Sequence, residues 1–118
     1  MPIAIRRATP ADTRVLATLR YEFRGNHAPP TETAAAFVRR CADWMRRALR
    51  DSRRWRCWVA VSHAPHLPGG AIIGHIWVEI IDKVPNPGKE AEHHAYITNL
   101  YVQPVSYTHL TLPTNREV

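Results

Sequence analysis

Glycine is scarce in this sequence, five residues in 118, and lysine is scarcer, with Lys83 and Lys89 set against fourteen arginines. Long apolar runs are lacking: the longest, residues 71–81, is interrupted by His75 and Glu79 and is too short to span a bilayer. The opening MPIAIRR turns charged before the apolar segment of a secretory signal develops. Cysteine is limited to Cys41 and Cys57, which sit inside apolar patterns and form neither a CxxC pair nor a disulfide framework. That usage fits free buried thiols in a reducing compartment, so a cytoplasmic location with no membrane partner is expected. The spacings GxSxG, HExxH, the Walker loop, the dinucleotide glycine fingerprint and zinc-finger pairs are all missing.

What is present suits one domain with a real but modest core. The formal charge of +6 and pI near 10.0 raise the question of a polyanionic partner. Arginine excess alone does not answer it, because every amphipathic helix needs a solvated face. That face is the preferred reading of the arginines here, which sets nucleic acid aside as the first expectation.

Along the chain, Ile3 and Ile5 alternate with Ala4 and Arg6, predicting a short half-buried strand. Thr9-Pro10-Ala11-Asp12 reads as a helix start, with Thr9 as cap, Pro10 where a missing N–H costs nothing, and Asp12 near the positive dipole end. Val15, Leu16, Leu19 and Phe23 form the apolar stripe of that helix, which closes at Gly25-Asn26. A second helix is expected over about residues 31–53. Phe37, Val38, Cys41, Trp44, Met45, Ala48 and Leu49 share one face of it, and Arg39, Arg40, Asp43, Arg46, Arg47 and Arg50 share the other.

WRCWVAVS, residues 55–62, is apolar on both alternations and predicts a strand covered on both faces. Residues 63–70 read as a hairpin loop and residues 71–81 as a long strand, whose interior Gly74 marks a bulge or a close backbone approach. The polar, Pro-containing residues 82–94 read as an exposed loop. AYITNLYVQP, residues 95–104, then reads as a sheet-centre strand running into a proline stop. The fold class is therefore α+β within the broader α/β group: order β-α-α-β-β-β, two amphipathic helices and a mostly antiparallel sheet.

Chemistry-bearing residues are few. Glu90, Glu92, His93 and His94 cluster, but adjacent residues of an extended chain point to opposite sides, so no metal site is expected. Glu79 shares a strand face with Trp77 and His75. A carboxylate beside an indole on a part-buried face is the best internal candidate for a general base, and a solvent-facing glutamate is the equal alternative. Tyr21 and Glu22, near the end of the first helix, either line a cleft or lie exposed.

The order of elements, together with IAIRRATPADTRVLATLR, WVAV, IIGHIWVEI and ITNLYVQP, resembles the N-terminal half of the GNAT acetyltransferase superfamily over about residues 3–104. The resemblance implies an N-acyltransferase that moves an acetyl group from acetyl-CoA to an amine, either a small molecule or a peptide, and it leaves a homodimer open. It implies that backbone groups of Leu100, Tyr101 and Val102 pair with the pantetheine arm like an added strand. It also implies that Tyr21, Trp77, Tyr96 and Asn99 wall the acceptor site, with Glu79 as catalytic base, directly or through water. The family's glycine-rich pyrophosphate loop should follow the Val-x-Pro, yet no glycine occurs after Pro104. SYTHLTLPTNREV instead resembles translated sequencing-adapter read-through. Residues 1–105 are thus expected to be the N-terminal part of an acetyltransferase domain, residues 106–118 a non-native tail, and the chain inactive as written. The alternatives are a small basic nucleic-acid-binding domain or a non-catalytic interaction domain.

Overall fold

The computed structural model describes residues 3–63, 70–89 and 91–103. Four strands, β1 (Ile3–Arg7), β2 (Trp55–Ser62), β3 (Ala71–Asp82) and β4 (His93–Val102), form one sheet in the order β1-β2-β3-β4, every neighbour antiparallel. Two helices, α1 (Thr13–Gly25) and α2 (Ala34–Leu49), lie between β1 and β2 in the chain. The expected order and antiparallel pairing are found.

The start of α1 is made by charge and capping together. Pro10–Asp12 forms a single 3-10 turn rather than the first α-turn that the sequence suggested. The Asp12 carboxylate accepts from the Thr9 N–H at 2.8 Å and from both Arg6 nitrogens at 2.9 and 3.0 Å, and so ties the end of β1 to the helix entry. Arg6 is the main cause of the lowered Asp12 pKa. α2 is shorter at both ends than residues 31–53. The Thr33 hydroxyl accepts from the Ala36 N–H at 3.2 Å and takes the N-cap, while Arg50 closes the helix. The chain then turns sharply, with Arg54 N–H and Trp55 N–H both donating to the Asp51 carbonyl at 3.0 Å.

Both helices cover one face of the sheet. Leu16 and Ala17 of α1, Ala42, Met45 and Ala48 of α2, and Cys57, Val59, Val61 and Trp77 of the sheet form a single buried cluster. Val15 and Trp44, expected on apolar stripes, remain 45% and 43% exposed at the stripe margins. Among the described residues nothing covers the other face. Strand alternation places Ile5, Trp58 and Ala60 there, so β2 is buried on one side only. Arg7 lies over the Trp58 ring at 5.2 Å. For the same reason β1 is an exposed edge and not half-buried: Ile5 is 67% exposed. β4, expected at the sheet centre, is the other edge.

Two register shifts shape the sheet. On β3, Ile73 has no partner across β2, because Ala60 faces Gly74 and Val61 faces Ile72. On β4, Thr98 is the extra residue, because Trp77 faces Asn99 while Val78 faces Ile97. Gly74 is the close approach that the sequence suggested. A Cβ there would stand 3.0 Å from the Tyr101 carbonyl oxygen.

Candidate functional site

A cleft of about 520 Å³ with mostly apolar walls and converging polar groups opens between one flank of α2 and β4, while a larger groove of about 1020 Å³, lined mainly by charged residues such as Arg54, Arg56, Glu79 and Asp82, lies elsewhere. Its helix side comes from residues that recur at 3–4 positions along α2: Phe37, Arg40, Cys41, Trp44 and Arg47. Its sheet side comes from Trp55, Trp77, Thr98 and Asn99. In a regular strand, consecutive residues point to opposite faces. The bulge at Thr98 breaks that alternation, and both Thr98 and Asn99 reach the cleft.

Arg20 of α1 closes one end. Its Nη1 donates to Asn99 Oδ1 at 3.1 Å. Burial, and then the neighbouring Arg24, lowers the Arg20 pKa, although a guanidinium this basic stays charged. Burial likewise pushes the Cys41 thiol up, which keeps it neutral beside the arginines. Three indoles lie together: Trp44 to Trp55 at 5.1 Å, Trp44 to Trp77 at 6.0 Å and Trp55 to Trp77 at 6.2 Å between ring centroids. The Trp77 Nε1 is buried with no hydrogen-bond partner among the described residues.

Among the described residues the edge of β4 beside the cleft is open. The Gln103 N–H donates to the Ile73 carbonyl at 2.9 Å, and the Tyr101 carbonyl points toward Gly74. By the alternation of an antiparallel ladder, Tyr101 spends its backbone groups on β3, while Leu100 and Val102 present theirs outward. Tyr101 serves in another way. Its ring packs 5.1 Å from Phe23, and its hydroxyl donates to Glu22 Oε1 at 3.4 Å, which holds β4 to the end of α1. Burial and Glu22 raise the Tyr101 pKa. His75, 6.1 Å from the Tyr101 ring and 3% exposed, has no partner at either nitrogen among the described residues. Its burial, with Arg20 adding repulsion, lowers its pKa to about 4, so it is neutral at physiological pH.

Of the residues singled out from sequence, Trp77 and Asn99 meet in the cleft. Tyr21 does not. It lines a separate cavity of about 230 Å³ at the α1–α2 turn and reaches the main cleft only through Phe37, at 5.8 Å between rings. Tyr96 is 60% exposed and faces Glu79 across the strands. Glu79 lies outside the cleft, where its Oε2 accepts from Arg54 Nε at 3.1 Å and Nη2 at 3.0 Å. Glu22, the companion of Tyr21, is exposed, but it holds Tyr101 and Gln103. Among the described residues no cluster of His, Cys, Asp and Glu could hold a metal ion, and Glu90 lies outside them. No described helix is long and apolar enough to cross a membrane. Residues 104–118, with Pro104 and the adapter-like stretch, also lie outside the described residues. Arg20, Thr98 and the α2 flank were not singled out as site residues. The sequence signal for the flank is the meeting of two faces of α2, with Phe37, Cys41 and Trp44 on the apolar one and Arg40 and Arg47 on the arginine one.

No family model and no curated protein sequence matches the chain. Its structure is similar to that of a GCN5-related N-acetyltransferase from Ralstonia eutropha, with TM-score 0.63 and 25% identity, over 88% of this chain and 64% of that one. It is similar to a predicted acetyltransferase from Clostridium acetobutylicum solved with acetyl-CoA, with TM-score 0.63 and 19% identity, over 89% of this chain and 62% of that one. An aminoglycoside 6'-N-acetyltransferase from Acinetobacter baumannii gives TM-score 0.58 and 14% identity, over 93% and 63%. The chain spans a little under two thirds of the length of each of these three proteins. What it carries is the fold of the GNAT N-acetyltransferases over the part of those proteins that it spans.

Proposed function

We propose that this chain derives from an N-acetyltransferase, with the open edge of β4 as the acetyl-CoA side and the cleft behind the Thr98 bulge as the amine side. The observation that carries the proposal is their junction. An edge at Leu100 and Val102, unpaired among the described residues, runs directly into a bulge that opens on a part-buried cleft. An extended pantetheine arm has amide groups that can pair with such an edge, as an added strand does. Acetyl-CoA supplies the acetyl group as an activated thioester. The chain's part is to hold an amine and that group in contact and to offer backbone N–H donors near the bulge to the carbonyl oxygen. Glu79 is held by Arg54 outside the cleft, so its part as base is restricted to one relayed through water.

The 118 residues contain no glycine-rich segment after β4 to hold a pyrophosphate. We infer that the chain as written binds acetyl-CoA weakly and does not turn over. Calorimetry should show acetyl-CoA binding no tighter than S-acetylpantetheine, within about threefold, because the nucleotide finds no partner. Micromolar acetyl-CoA binding would overturn the inactivity reading.

A further inference from the structure

The wall chemistry of the cleft restricts which amine can enter. Arg20, Arg40 and Arg47 all line it, and no described carboxylate does. Arg40 is compensated by Glu32 from α2's N-terminal approach. Arg20 spends one bond on the neutral Asn99 amide and keeps its charge in a half-buried setting. A positive field in a partly desolvated cleft repels polycations and attracts a single anion. Beside these cations stand the indoles of Trp44 and Trp55, which offer flat apolar surface, with the buried Trp77 ring packed behind them. The buried Trp77 N–H is a donor still without a protein acceptor among the described residues.

We propose that the acceptor is an amine that also carries a carboxylate and an aromatic body, an aromatic α-amino acid, with the carboxylate held by Arg20 and Arg47 and the ring on the tryptophan wall. This assignment rests on the acetyl-transfer reading above and narrows its acceptor. Planar guanidinium forks suit a carboxylate, and two of them offer enough N–H donors for both of its oxygens. Apolar walls with a few converging polar groups suit a ligand of this size.

The test uses the intact 118-residue chain and its own fluorescence, excited where phenylalanine does not absorb. L-Phenylalanine and 3-phenylpropionate should both titrate the signal. L-Phenylalaninamide and phenethylamine, which keep the ring and lack the carboxylate, should bind at least tenfold more weakly, and spermidine not at all. Arg47→Gln, at an exposed position with little bearing on folding, should weaken phenylalanine binding at least fivefold. Arg47→Glu should abolish the preference for the acid over the amide. Equal binding of acid and amide, or tight spermidine binding, would overturn the assignment. Titration of S-acetylpantetheine in parallel separates the two ideas. A carboxylate preference without S-acetylpantetheine at β4 supports the anion site and removes the transfer reading. S-Acetylpantetheine at β4 without that preference removes the acceptor assignment alone.

Discussion

Replacing Gly74 tests the contact on which the position of the β4 edge depends. Gly74 has no unusual backbone angle, so only space is at issue. A Cβ at this site stands 3.0 Å from the Tyr101 carbonyl oxygen and 3.2 Å from Val102 Cγ2, and the first of these is backbone that cannot rotate away. As an outer strand, β4 can retreat by a few tenths of an ångström, but the Gln103 N–H bond to Ile73 and the Tyr101 anchor on α1 resist it. Overpacking of this kind costs about 1–3 kcal/mol. Alanine recovers roughly 0.5–1 kcal/mol of the backbone entropy that glycine loses in a strand. Gly74→Ala should therefore be destabilised by about 1 kcal/mol, and Gly74→Val, with two further methyls against the same wall, by about 2–3 kcal/mol. Urea unfolding followed by fluorescence should show the midpoint falling by roughly 0.5–1 M for alanine at an unchanged slope. If both variants matched or exceeded the parent in stability, β3 and β4 would not be this close, and the placement of the Leu100 and Val102 edge would lose its footing.

Three further outcomes follow from specific contacts. Asp12→Ala should cost about 1–2 kcal/mol at pH 7, through loss of the Thr9 N–H acceptor and the Arg6 pair. Because the folded-state pKa of Asp12 is lowered, its contribution is full above the unfolded value near 3.8 and fades as pH falls through the folded value. The gap between parent and variant should therefore narrow below pH 4 in acid unfolding, and a gap that widened would contradict the Arg6–Asp12 assignment. Thr33→Ala should lower stability by about 1 kcal/mol and Thr33→Asp should restore it, as read by thermal unfolding. Burial pushes the Cys57 thiol up to about 12, so a disulfide reagent at pH 8 should label only Cys41 in the folded chain and both thiols in urea. Rapid native labelling of Cys57 would mean that the core is open.

The elements were legible where local chemistry decides them. Thr9-Pro10-Asp12 announced the first helix, and the WRCWVAVS strand is found at the residues read from sequence. Gly74 announced a close approach, and the cause proved to be the Tyr101 carbonyl. Burial of the two sheet faces was not legible. Trp58 and Ala60 are apolar whether or not anything covers them, so β2 read as covered on both sides. The Thr98 bulge escaped too, because nothing in YITNL marks an extra residue. It depends on the pairing with β3, and it alone brings Thr98 and Asn99 to the same cleft. The Arg20–Asn99 bond spans 79 positions, beyond any spacing argument. Glu79 beside Trp77 was a fair local reading, but the partner that claims its carboxylate, Arg54, is brought there by the turn after α2.

The reading of β4 as the acetyl-carrier edge is tested most directly by amide-resolved titration of the 118-residue chain with S-acetylpantetheine at millimolar concentration. That ligand keeps the arm and the thioester and lacks the nucleotide, so it probes the strand edge by itself. The amides of Leu100 and Val102 should shift progressively, with Thr98 and Asn99 following at the bulge, while the opposite edge at Ile3–Arg7 stays still. Shifts confined to β1 or scattered over the arginines of α2, or no shift along β4 at all, would contradict it.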